Sequence, residues 1–252
     1  MRILLSNDDG LHAPGLAAAE RALSAIGEVH TVAPDRERSA TGHAITLHAP
    51  LRITRIGPRR HIVNGTPTDC VYMALNHIIE GEAPALVVSG INHGANLGND
   101  LTYSGTVGAA MEGCCMGVAS IAGSSLGQGP DDLEAAAGFV ATVAAEVAER
   151  GLPAGVLLNV NVPAGWRPGD GWSLTQIGVR NYGNHVQVRR DPRGGEYFWI
   201  GGPPPEHDDI PGSDCNAVLD GRASITPVKM DLTDHASLAA MAAWSVGGRG
   251  PA

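Results

Sequence analysis

Residues 1–34 read MRILLSNDDGLHAPGLAAAERALSAIGEVHTVAP. The apolar run RILL (2–5) has the length and composition of a buried strand. Pro14 then opens a segment in which Leu16, Leu23 and Ile26 stand among alanines, and Gly27 closes it. Proline just inside the start and glycine just past the end is the order of signals that a helix carries. EVHTVA (28–33) gives a second strand, ended by Pro34. Strand, helix and strand in this order form a βαβ unit, and its two strands are expected to lie parallel.

The alternation continues outward from this unit. Residues 44–48 and 51–56 carry alternating β-formers and predict strands or a hairpin, and HIV (61–63) predicts another strand. Thr66-Pro67 opens a helix running to about Ile79. A strand at 85–89 leads into the long loop GINHGANLGND, followed by a helix from Gly105 to about Met116. A strand at 118–122, an Ala-rich helix at 131–150 and a strand at 155–160 complete the series. Apolar strands alternating with helices predict an α/β fold with a doubly wound, mostly parallel sheet.

Composition shifts past Pro163. Residues 172–200 are β-prone with a hairpin tip at Arg189–Gly195, 201–216 read as loop, 223–230 as strand and 234–245 as a terminal helix. The tail GGRGPA reads as frayed. The expected organisation is a catalytic core over 1–162 and a C-terminal β arm with a terminal helix over 163–252. An arm with so little core of its own is expected to pack on the core and on a second subunit.

The chain has 252 residues and a net charge of −9. No basic stripe interleaved with aromatics is visible, which argues against a nucleic-acid polymer as partner. An anionic ligand would need positive charge from outside the sequence. The cysteines Cys70, Cys114, Cys115 and Cys215 form no CxxC pair and read as small buried hydrophobes in a reducing compartment. No secretory signal and no apolar run of about 20 residues is seen, so no membrane partner and a cytoplasmic location are expected.

Polar residues gather after the predicted strands. Asn7, Asp8 and Asp9 follow the first, Asp35 to Ser39 the second, and Ser89 and Asn92 the strand VVS. In a parallel sheet these ends share one edge, so the segments should meet in one crevice. Their chemistry is all oxygen, which suits Mg²⁺, Mn²⁺ or Ca²⁺ rather than structural zinc. Two carboxylates ~4 Å apart repel by about 4 kcal/mol at an effective dielectric near 20. A divalent cation turns that repulsion into attraction.

The second candidate is DLTYSGTVGAAMEG. Ser104-Gly105-Thr106 opens a helix, where free N–H groups and the positive end of the dipole favour an anion. Beside a metal crevice this predicts a phosphoester site in which the cation activates water. The GSSLG run at 123–127 resembles a nucleophile elbow, but Gln128–Asp131 separates it from the next helix, so it reads as loop. GxGxxG and GxxxxGK[ST] are both absent. His12, His43, His93, His207 and His235 lie in polar segments. His235, at the start of the last helix with Lys229 and Asp231 before it, is singled out as a possible general acid.

MRILLSNDDGLHAPG, VAPDRERSATGHAITL, NGTPTDCVY, VVSGINHGANLGNDLTYSGTVGAAMEG and SITPVKMDLTDH, in this order, resemble the SurE family of survival-protein phosphatases. The resemblance implies a 5′(3′)-nucleotidase acting on nucleoside monophosphates and, in some members, on short polyphosphate. It implies one divalent ion per subunit, Mn²⁺ or Mg²⁺, held by Asp8, Asp9, Ser39 and Asn92. Phosphate would be held by Asn96, Ser104, Gly105 and Thr106. It also implies a Rossmann-like three-layer αβα fold whose C-terminal arm is exchanged in a homodimer or homotetramer. The rival readings are a non-catalytic nucleotide or phosphate sensor using the same crevice, and a serine esterase using Ser39 or Ser125.

Overall fold

Strand β1 (Arg2–Ser6) explains the architecture, because it is buried on both faces. Ile3 and Leu5 pack on one side against Leu16 and Leu23 of α1 (Pro14–Leu23) and Leu133 and Val140 of α4 (Pro130–Arg150). Leu4 points to the other side, toward Cys70 and Val71 of α2 (Pro67–Met73) and Ala109 of α3 (Gly105–Cys115). A continuous apolar run, rather than an alternating one, is what a strand covered by helices on both faces requires. The computed structural model describes residues 1–183, 185–201 and 205–244.

The remaining strands of the core are β2 (Glu28–Pro34), β3 (Ile53–Gly57), β4 (Arg60–Val63), β5 (Leu86–His93), β6 (Ala119–Ser125) and β7 (Val156–Val162). The C-terminal part adds β8 (Trp172–Leu174), β9 (Arg180–Asn181), β10 (Val186–Arg190), β11 (Glu196–Ile200) and β12 (Glu206–His207). Helix α5 (Asp214–Leu219), strand β13 (Ala223–Lys229) and helix α6 (His235–Met241) follow. Nine strands form one sheet in the order β3-β4-β2-β1-β5-β6-β7-β13-β8. The strands from β4 to β7 in that order are mutually parallel, as the βαβ reading requires. β3 pairs antiparallel with β4 at one edge, and β13 pairs antiparallel with β7 near the other. The fold is therefore α/β with a mostly parallel sheet between two helical layers. β10 and β11 form a separate two-stranded ribbon, exposed along its whole length. Among the described residues, no helix is long and apolar enough to cross a membrane.

Several local expectations are corrected. Residues 44–48 form no strand: the Thr46 N–H and hydroxyl both donate to the Asp69 carboxylate, so a side chain takes the place of a ladder partner. β3 pairs with β4 instead. The predicted helix at 66–79 is α-helical only to Met73 and widens to a π-turn over Ala74–Ile78. The predicted loop at 201–216 contains β12 and the start of α5, which Ser213 caps by accepting the Asn216 N–H at 3.2 Å. Cys70, Cys114 and Cys215 are buried, whereas Cys115 is exposed. The last position of the predicted terminal helix, Ser245, and the tail GGRGPA lie outside the described residues.

Candidate active site

β1, β2 and β5 end at the same edge of the sheet, and the loops that follow them are tied together there. After β1, the Asn7 side-chain amide donates to the Gly10 carbonyl at 2.9 Å and turns the chain so that Asp8 and Asp9 sit at the strand end. The Arg38 N–H donates to the Asp8 carbonyl at 2.7 Å, which lays the loop after β2 on this turn and brings Ser39 next to it. From β5, the His93 N–H reaches the Asp9 carboxylate at 3.3 Å. Asn92 precedes it and donates its amide N–H to the Gly94 carbonyl at 2.9 Å, so Oδ1 is the atom it would offer to a cation. Two hydrogen bonds from backbone N–H groups, one to a carbonyl and one to a carboxylate, thus bring together the segments that carry Asp8 and Asp9, Ser39 and Asn92.

The start of α3 completes the crevice. Gly105 lies so close to β1 that a Cβ there would stand 2.9 Å from Asp8 Cβ and 3.0 Å from Asp8 Oδ2. Glycine is the one residue that admits this approach. The Thr106 hydroxyl, fully buried, donates to Asp8 Oδ1. Ser104 caps the helix by accepting the Val107 N–H at 3.1 Å, which keeps its own O–H proton free to donate outward. The first-turn amides of Gly105 and Thr106 have no acceptor within the helix. The Gly42 N–H bonds the Tyr103 carbonyl at 2.9 Å, so the 38–42 loop runs along this entry.

The electrostatics of the pair is unbalanced. Burial pushes the Asp8 carboxyl up to about 6; the Thr106 hydroxyl and amide oppose that shift, and Asp9 adds to it. Asp9 is also raised, first by burial, with the His93 amide and ring lowering it and Glu37 raising it. Neither shift has a lysine or arginine among its causes. Among the described residues no three His, Cys, Asp or Glu side chains cluster. The donor set is two carboxylates, a hydroxyl and an amide oxygen, and Asn7 Oδ1 is buried beside them without a partner. Hard oxygen donors with uncompensated negative charge fit a divalent cation of the Mg²⁺ or Mn²⁺ type.

The Ser39 hydroxyl is turned to a neighbour on its own loop, and the other expected residues take different places. Asn96 is buried, and its Nδ2 donates to Ser124 at 2.8 Å. Its backbone is clamped by β7: Asn161 Oδ1 accepts the Asn96 N–H at 2.8 Å, and the Asn159 and Asn161 amides donate to the Asn96 carbonyl at 2.8 and 3.0 Å. Ser39 is exposed and donates to Glu37 at 2.9 Å. His235 sits on α6, which buries no residue, and its Nε2 pairs with Asp231 at 2.6 Å. None of the bonds that assemble the crevice involve it. Ser125 is buried and donates to the Gly127 carbonyl at 2.7 Å, with a loop between it and α4. Sequence reasoning missed Asn159 and Asn161. Two amides at period two in the apolar run VLLNVNV (156–162) place both on one buried face, and that was the available signal.

A family model described as survival protein SurE matches residues 3–184, which include β1, the 35–42 loop, the end of β5 and the start of α3. The chain belongs to the SurE family. It is 50% identical over 248 residues to the 5′-nucleotidase SurE of Myxococcus xanthus, covering 98% of this chain and 94% of that protein. It is 52% identical over 250 residues to the 5′-nucleotidase SurE of an Anaeromyxobacter species, covering 98% and 97%. The crystal structure of the SurE protein from Aquifex aeolicus superposes with a TM-score of 0.85 at 39% identity, over 96% of this chain and 98% of that one.

Proposed function

We propose that this SurE protein is a 5′-nucleotidase that hydrolyses nucleoside monophosphates to nucleoside and phosphate with one divalent ion, Mn²⁺ or Mg²⁺, per subunit. The observation that carries the reading is the juxtaposition of two carboxylates lacking a lysine or arginine partner with a capped helix start. Asp8, Asp9, Ser39 and Asn92 would hold the ion. When bound, it neutralises charge on the phosphate and acidifies a water molecule. Asp9, the more open carboxylate, would orient that water and accept its proton. The Gly105 amide and the Ser104 hydroxyl would receive the phosphate oxygens, donating hydrogen bonds where charge builds in the transition state. Thr106 and Asn96 enter as supports, one holding Asp8 and the other fixing the loop before the helix start.

The test is release of inorganic phosphate from 5′- and 3′-nucleoside monophosphates and short polyphosphate, with Mg²⁺, Mn²⁺ and a chelator as arms. Metal-dependent release from a 5′-monophosphate supports the reading. Binding of AMP without release would make the protein a sensor, and carboxyl-ester hydrolysis that persists in chelator would make it a serine esterase.

We also infer that the part beyond residue 162 reaches a second copy of the chain, as a homodimer or homotetramer. The β10–β11 ribbon exposes Val186, Val188, Phe198, Trp199 and Ile200 with no core beneath them, more than a monomer ordinarily leaves uncovered. A monomeric mass by analytical ultracentrifugation would remove this inference.

A further inference from the structure

Asp214 is fully buried at the start of α5, and its carboxylate accepts three backbone N–H groups. Oδ2 accepts the Gly98 N–H at 2.9 Å. Oδ1 accepts the Gly178 N–H at 2.8 Å and its neighbour Cys215's N–H at 2.8 Å. The three donors converge on two oxygens, a match for an acceptor-only carboxylate; an amide in its place would turn N–H groups toward N–H groups.

The two loops it joins are pressed backbone to backbone. Gly98 has φ +56, and a Cβ there would stand 3.0 Å from the Gly178 carbonyl oxygen. A Cβ on Gly178 would stand 2.8 Å from Cys215 Sγ. Gly98 opens the short 3₁₀ turn Gly98–Thr102, which ends two residues before the cap Ser104. The same turn is gripped from the arm: the Arg180 N–H donates to Asn99 Oδ1 at 2.8 Å, and the Arg180 guanidinium and the Tyr182 hydroxyl both bond Asp100. Asp214 therefore joins the base of the C-terminal arm to the turn that sets the entry of α3. Neither Gly98 nor Gly178 lies in a strand or α-helix of the core.

We propose that Asp214 is a positioning residue for the phosphate-binding helix start, acting through Gly98 and, with Gly178, through Arg180. The proposal rests on the reading of Ser104 and Gly105 as the phosphate site. The metal donors Asp8, Asp9, Ser39 and Asn92 lie on other segments, so loss of Asp214 separates two affinities that general unfolding would move together.

The experiment uses full-length Asp214→Asn and Arg180→Ala, with inorganic phosphate and Mn²⁺ titrated separately by calorimetry and KM and kcat measured for AMP. Losing one to two hydrogen bonds from the brace should raise the phosphate dissociation constant and KM about tenfold in each variant. Mn²⁺ affinity should fall by clearly less than phosphate affinity, because no proposed metal donor lies on the braced turn and Asp8 is reached from it only through Thr106. Unchanged phosphate affinity in a folded Asp214→Asn protein overturns the proposal, as does a parallel loss of Mn²⁺ affinity. If Asp214→Asn does not fold, Arg180→Ala decides by the same criteria. Wild type that binds no phosphate refutes the site itself, a result distinct from failure of the brace.

Discussion

The Thr106 hydroxyl donates to Asp8 Oδ1 across 98 residues of sequence, and both side chains are buried. The bond fixes the orientation of the Asp8 carboxylate, and on the proposed reading Oδ2 is the oxygen that would meet a cation. Thr106→Val, which removes the hydroxyl at nearly constant volume, should weaken Mn²⁺ binding about tenfold, the effect of one charge-assisted hydrogen bond. Thr106→Ser should restore most of it. Calorimetric titration of both variants checks this, and equal affinities would remove the positioning role.

Asp8 also imposes a pH dependence on the metal-free protein. Its carboxyl titrates at about 6 in the fold against an ordinary 3.8, so the folded state binds the proton more tightly. Stability from this group is complete below pH 3.8 and is lost as pH rises through about 6, by on the order of 3 kcal/mol. Chelated wild type should therefore lose Tm relative to Asp8→Asn between pH 4 and 7. Added Mn²⁺ should reverse the loss in wild type alone. A flat difference curve would refute the assignment.

Asp8→Asn and Asp9→Asn should each lower AMP hydrolysis at least a hundredfold while leaving far-ultraviolet circular dichroism unchanged, since catalytic carboxylates act through charge that an amide lacks. Near-normal turnover by metal-loaded Asp9→Asn would sink the mechanism. His235→Ala tests the remaining acid candidate: an unchanged kcat against pH retires it.

Gly105 and Gly138 make a matched pair. Gly105→Ala would press a methyl group onto Asp8 and should abolish most hydrolysis. Gly138 lies exposed within α4 with nothing within 4 Å of an added Cβ. Gly138→Ala should raise stability by about 0.5–1 kcal/mol and leave activity alone. Thermal melts and phosphate release distinguish the two.

The parallel sheet was legible because β1, β5 and β7 carry the apolar runs ILL, LVV and VLL between helix signals. The shared edge then placed Asp8, Asp9, Ser39 and Asn92 together by topology alone. Asn96 entered as a phosphate contact through the resemblance alone, and nothing local in the sequence signals that its amide turns inward to Ser124. Thr106 read as a cap or phosphate contact because its partner is remote in sequence. α5 was lost in a loop because six residues carry little periodicity; the cap pair Ser213 and Asn216 was its one local signal.

The bond between Gly98 and Asp214 spans 116 residues. Contacts of such separation form late, because the intervening chain must be closed first. During synthesis the chain acquires its carboxylates and its helix start early, and the brace only when α5 has left the ribosome. On the proposed reading, hydrolytic competence would be among the last properties to appear, and a product truncated before α5 would keep Asp8, Asp9, Ser39 and Asn92 while lacking the brace.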